Sequence, residues 1–156
     1  MIWVIIAVSA IALDQLTKLL VINTLTLNSS VTVINNFFNI SHIKNKGAAW
    51  GVFQNGRLVF VILTVIVVLI LAVLINRSNN KLFKTILSII IGGALGNWID
   101  RVLYGQVTDF LHFKFWSYDF PVFNVSDMFV VVGTILLAVY LIFIEKDNGR
   151  MKYRLK

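Results

Sequence analysis

Eighteen residues from Leu58 to Ile75, LVFVILTVIVVLILAVLI, contain no charge and a single hydroxyl. A helix that is apolar all round has no side to turn towards water. At about 1.5 Å of rise per residue, this run crosses most of a hydrocarbon layer about 30 Å thick. Three further stretches, about 2–22, 82–103 and 126–144, are long and apolar enough to do the same. Composition agrees: 58% of the 156 residues are hydrophobic, only one is proline, and mean hydropathy is +0.85, whereas soluble domains run at about half apolar. The expected fold is therefore a mainly α membrane protein, a single integral domain over 1–156. It has four transmembrane helices and a small extracytoplasmic β-rich loop region between helices 1 and 2.

The first apolar run lacks a basic leader and resumes after Lys18, so it reads as a retained span rather than a cleaved signal. The outer loop, about 23–57, mixes β-branched and aromatic residues in SVTVINNFFNISHI before the turn-prone KNKGAAWG, which predicts β-structure on the membrane surface. Net charge is +7, but the basic residues lie between and after the apolar runs and form no aromatic-interleaved face, so no nucleic-acid partner is expected. They set orientation instead. Arg77, Lys81 and Lys84 crowd the short second loop, and Lys146, Arg150, Lys152, Arg154 and Lys156 the tail. Lys44, Lys46, Arg57, Arg101 and Lys114 are spread more thinly on the other side, so both termini are expected in the cytoplasm. The absence of cysteine excludes thiol chemistry and disulfides.

That topology gathers Asp14, Asp100, Asp109 and Asp127, four of the seven acidic residues, near the outer leaflet. A carboxylate beside hydrocarbon costs roughly a few kcal/mol unless paired or wetted, so each is a functional candidate. Most also have a structural explanation. Asp14 and Lys18 are spaced for an i, i+4 ion pair, and Asp127 suits the first turn of a helix. Gly92 and Gly96 form a GxxxG contact stripe. Arg101 either snorkels to headgroups or binds a substrate carbonyl or phosphate. Asp109 has no such duty: QVTDFLHF predicts a short strand with Asp109 and Leu111 on one face and Phe110 and His112 on the other. Two carboxylates from separate elements, with no Ser/His or Cys/His pair beside them, fit shared-proton chemistry. One polarises a carbonyl while the other deprotonates water. His42 and His112 are isolated, without HxxxH or ExxH spacing, so no metal is expected.

Five stretches then carry a resemblance. DQLTK at Asp14–Lys18, NKGAAWG at Asn45–Gly51, GGALGNWIDR at Gly92–Arg101, VTDF at Val107–Phe110 and FNVSD at Phe123–Asp127 together resemble the bacterial lipoprotein signal peptidase family, signal peptidase II. Their order, approximate spacing, chain length and four-span plan match. The resemblance implies an intramembrane aspartyl endopeptidase of the bacterial cytoplasmic membrane. Such an enzyme removes the signal peptide of diacylglyceryl-modified prolipoproteins on the N-terminal side of the lipidated cysteine. The family's catalytic aspartates fall on Asp109 and Asp127. Asp14, Lys18, Asn45, Gly47, Asn97, Arg101 and Asn124 are implied as supports of the dyad or contacts to substrate, and Asp100 as a structural neighbour holding loop or headgroup contacts. Expected partners are the lipid-modified signal peptide and membrane phospholipid, with no cofactor and a monomeric state. Trp50 stands where the family pattern has Phe, and Ser126 where it has Ala. The Ser126 hydroxyl is one residue from Asp127, close enough to alter that carboxylate's proton affinity.

Beside this stand two other classes. A proton-coupled transporter would use Asp14 or Asp127, although transport sites usually lie at the midplane. A non-catalytic assembly factor would be held by the GxxxG stripe and would leave Asp109 without a role.

Overall fold

The computed structural model describes residues 1–47, 56–116 and 118–145. The expectations for Trp50 and for the basic tail from Lys146 onward lie outside the described residues. Four helices are long and apolar enough to cross a membrane: α1 (Ile2–Thr24), α2 (Arg57–Arg77), α3 (Lys81–Tyr104) and α4 (Val125–Val139), the last continued by a π-helical stretch, Tyr140–Glu145. The uncharged run Leu58–Ile75 lies within α2, of whose residues only Leu71 is buried. Val68 and Ile75 pack against the core around Leu71, while most of the helix's other apolar side chains are exposed, as a lipid solvent allows.

α3 is the central helix, packing on α1, α2 and α4. Its glycines allow this. A methyl group at Gly92 would lie 2.6 Å from Ala10 Cβ and 2.8 Å from the Ala7 carbonyl oxygen, and one at Gly93 would lie 2.6 Å from the Ser126 carbonyl oxygen. Because lipid tails offer no hydrophobic drive for helices to associate, such close van der Waals approach is what binds them. The apolar core, Leu71, Ile86, Leu87, Ile90, Ile91 and Tyr140, lies towards the opposite end of α3 from Asn97 and Arg101. Asn80 caps the start of α3, its side chain accepting the Phe83 N–H at 3.0 Å. Gly105, in the left-handed region at φ 71°, ends the helix and turns the chain back into a strand.

The β-structure is not confined to the connection between the first two helices, and that expectation is corrected. β1 (Ser30–Ile34) and β2 (Phe38–Asn45) come from that loop, but β3 (Val107–Phe115) and β4 (Tyr118–Asp119) follow α3. The four form one antiparallel sheet in the order β1-β2-β3-β4. Hairpins are local, whereas the β2–β3 ladder joins residues as far apart as Phe38 and Phe113, so hydropathy patterning of the first loop could reveal only half the sheet. A group of phenylalanines secures it: Phe38 stacks on Phe113 at 4.6 Å, and Phe113 on Phe123 at 5.8 Å. Phe123 also joins β3 through its backbone, accepting the Phe110 and Leu111 N–H groups at 3.0 and 2.8 Å. The entrance to α4 is thereby laid against the strand that carries Asp109.

Candidate active site

Asp109 and Asp127 reach the same end of the helices by different routes. Asp127 sits in the first turn of α4, where a capping box fixes it: Asn124 Oδ1 accepts the Asp127 N–H at 3.0 Å, and Asp127 Oδ2 accepts the Asn124 N–H at 3.1 Å. The helix-start duty read from the sequence is real, yet it occupies only one carboxylate oxygen. The other, Oδ1, accepts from Asn97 Nδ2 at 2.7 Å. Asp109 projects from β3 opposite Ile43 and diagonal to Asn45 of β2. Its Oδ2 accepts from Asn45 Nδ2 at 2.9 Å and its Oδ1 from Asn124 Nδ2 at 2.6 Å.

The two carboxylates are thus joined by a relay of amides. Asn124 Nδ2 also donates to Asn97 Oδ1 at 3.1 Å, so Asp109, Asn124, Asn97 and Asp127 form one chain of hydrogen bonds. Asn124 is fully buried and Asn97 is nearly so. The Gly47 N–H donates to Asn45 Oδ1 at 2.9 Å, which leaves the amide nitrogen of Asn45 to face Asp109. Gly47 also offers its carbonyl to Arg101 Nη2 at 3.3 Å. The Arg101 guanidinium lies over the Phe60 ring, 4.7 Å from its centroid, within electrostatic range of Asp127, Asp109 and Asp100.

Burial first, and the Asp127 charge second, push the Asp109 carboxyl up from its ordinary 3.8 to about 7. The bonds from Asn45 and Asn124 and the Lys18 ammonium oppose that rise without cancelling it. Asp109 is accordingly poised to hold a proton at neutral pH, a property concentrated at reactive sites.

Asp14 and Lys18 form the expected ion pair at 2.7 Å, but the pair is not isolated. Lys18 Nζ also meets Asp100 Oδ2 at 3.0 Å and Asn97 Oδ1 at 2.9 Å. Asp100, read as a neighbour with loop or headgroup contacts, is 3% exposed, so the headgroup half of that reading is corrected. Its loop contact is with the Thr108 N–H, at 3.3 Å. Gln15, within DQLTK, has no role evident from the sequence, yet its amide bonds both Asp14 and Asp100. The signal available for it was an uncompensated amide in an apolar span. Ser126 Oγ is buried and has no hydrogen-bond partner among the described residues, so it makes no bond to the Asp127 carboxylate. The histidines stand aside: His42 Nδ1 lies 2.9 Å from the Leu25 carbonyl oxygen, and His112 is near Ser41 and Asp119. Among the described residues no group of three or more His, Cys, Asp or Glu side chains is arranged to hold a metal ion.

A family model described as signal peptidase (SPase) II matches residues 6–143. A lipoprotein signal peptidase of Clostridium tetani (strain Massachusetts / E88) is 42% identical over 149 residues, covering 94% of each chain. One of Clostridioides difficile (strain 630) is 40% identical over 150 residues, covering 95% of this chain and 99% of the relative. Among solved structures, a bacterial membrane enzyme determined by the in meso method at 2.3 Å superposes with a TM-score of 0.85 at 36% identity, covering 95% of this chain and 90% of that one. With a match over most of its length and relatives this similar, the chain belongs to the signal peptidase II family.

Proposed function

We propose that the chain is an intramembrane aspartyl endopeptidase whose dyad is Asp109 and Asp127. Its substrate is a diacylglyceryl-modified prolipoprotein, cut on the N-terminal side of the lipidated cysteine. The observation that carries this reading is the amide relay, which ties together two carboxylates from a strand and a helix, while burial and the charge of Asp127 push the Asp109 carboxyl up to about 7. The chemistry follows from a pair sharing one proton. The protonated carboxyl donates to the scissile carbonyl oxygen while the ionised one takes a proton from water, whose oxygen attacks the carbonyl carbon. As the resulting diol collapses, the second carboxyl protonates the leaving nitrogen, a diol hydroxyl proton returns to the first, and the C–N bond breaks. The pair ends with the one proton it began with.

Asn45, Asn97 and Asn124 hold the carboxylates in place, and Arg101, fixed by Gly47 and Phe60, supplies positive charge beside them. From Ile43 to Asn45 the backbone pairs with β3 and with no other strand among the described residues, which suits capture of an extended peptide along that edge. The basic second loop supports a cytoplasmic side for both termini, placing the dyad at the extracytoplasmic leaflet of the bacterial cytoplasmic membrane. The exposed apolar helices fit phospholipid neighbours and a monomer.

The test is cleavage of a diacylglyceryl-modified prolipoprotein by the purified protein in detergent. Wild type should cut before the lipidated cysteine with or without EDTA, and Asp109→Asn and Asp127→Asn should each lose about 100-fold or more. Substantial cleavage by both variants would remove the dyad from this site.

A further inference from the structure

Beneath the dyad lies a second pair of carboxylates that the reaction does not use. Asp14 Oδ1 accepts the backbone N–H of Ser126 at 2.8 Å, and Asp100 Oδ2 accepts that of Thr108 at 3.3 Å. Ser126 and Thr108 are the residues immediately before Asp127 and Asp109. Two side chains from one turn of α1 tie these carboxylates together. Lys18 Nζ lies 2.7 Å from Asp14 Oδ2 and 3.0 Å from Asp100 Oδ2. Gln15 Nε2 donates to Asp14 Oδ2 at 3.2 Å, to Asp100 Oδ1 at 3.0 Å and to the Gly96 carbonyl at 3.2 Å. Asp14, Lys18 and Asp100 are all at least 97% buried.

We propose that Asp14, Gln15, Lys18 and Asp100 form a clamp that sets the separation of the dyad by gripping the backbone amide next to each catalytic aspartate. The proposal rests on the functional reading above. A buried ion pair that only made α1 insertable would need one carboxylate and one ammonium. Here an ammonium and an amide are each shared between two carboxylates from different helices, and each carboxylate spends an oxygen on a backbone N–H of a third or fourth element. Lys18 further bonds Asn97, the amide that holds Asp127, so the clamp and the relay meet. On this proposal the four are positioning residues that act through Asp109 and Asp127 rather than on substrate, and a misplacement of about 1 Å at such a site costs about 100-fold in rate.

The experiment compares Gln15→Met, Asp100→Ala and Asp100→Asn in the purified full chain, with wild type and Asp109→Asn as references. Gln15→Met removes no charge, and Asp100→Ala leaves Lys18 paired with Asp14, so both should fold. Steady-state cleavage of the lipid-modified substrate is read alongside amide hydrogen exchange by NMR. The expected result is a fall in kcat of about 10- to 100-fold for Asp100→Ala with KM little changed. Exchange at the Thr108 amide should speed up, and Asp100→Asn, which keeps an oxygen acceptor, should recover most of both. Gln15→Met should lower kcat by a smaller factor in the same direction. A lower melting temperature with kcat intact, or unchanged Thr108 exchange in Asp100→Ala, would overturn the clamp. Were the wild type itself inert on this substrate, the functional reading would fall. The clamp would then stand or fall on the exchange at Thr108 and on its recovery in Asp100→Asn.

Discussion

Asp109 is held in a protonation state that the unfolded chain does not share. Its folded value, about 7, lies above its ordinary 3.8, so the fold favours the uncharged carboxyl. The contribution to stability is complete below the ordinary value and disappears as pH rises through about 7. Replacing Asp109 by Asn removes this dependence. The melting temperature of Asp109→Asn relative to wild type should therefore rise between pH 4 and pH 8, by several degrees. A constant or falling difference would contradict it. If Asp109 and Asp127 act as the proposed dyad, a pair that needs one proton loses it above about 7, so kcat/KM should decline on the alkaline side with an apparent midpoint near that value. Ser126→Ala should leave cleavage intact and stability unchanged or raised by about 1 kcal/mol, because the buried hydroxyl has no partner to lose. That Asp109 and Asp127 stand out in the sequence as candidates follows from the few inexpensive explanations open to a carboxylate near hydrocarbon. Gln15 does not stand out: its partner Asp100 lies 85 residues away, and no local spacing encodes that meeting.

Among the elements, α3 carries most of the organisation. Its glycine stripe lets α1 and α4 come close enough for Asp14 and Ser126 to meet beside Gly96, where an added methyl would overlap Ser126 Oγ and lie 2.7 Å from Asp14 Oδ2. Gly92→Ala, which would press on Ala7 and Ala10 away from the site, should cost about 1–3 kcal/mol in thermal melting. Gly96→Ala should in addition depress kcat. The helices were readable from the sequence because each is a continuous apolar run whose length alone matches a bilayer. The sheet was readable only in fragments. QVTDFLHF shows strand alternation by itself, but nothing in it names Phe38–Asn45 as its partner, and that pairing is what turns Asn45 towards Asp109.

At the scale of the whole molecule, orientation and shape determine how substrate arrives. The chain has no cysteine, so single cysteines can report sidedness. Tyr118→Cys, next to the exposed turn after β3, should react with an impermeant maleimide in intact cells, whereas Asn79→Cys, between α2 and α3, should react only after lysis. The opposite pattern would invert the topology. Among the described residues the helices also form no closed ring, since α2 leans on α3 and makes no comparable contact with α1 or α4. Under the proposed function, an arrangement open on its flank would receive a membrane-held peptide sideways, by diffusion in two dimensions. Encounter then depends on mole fraction within the lipid or micelle phase rather than on bulk molarity. Adding detergent at fixed protein and substrate should slow cleavage by surface dilution alone, and a KM quoted per litre would describe the micelle supply as much as the enzyme.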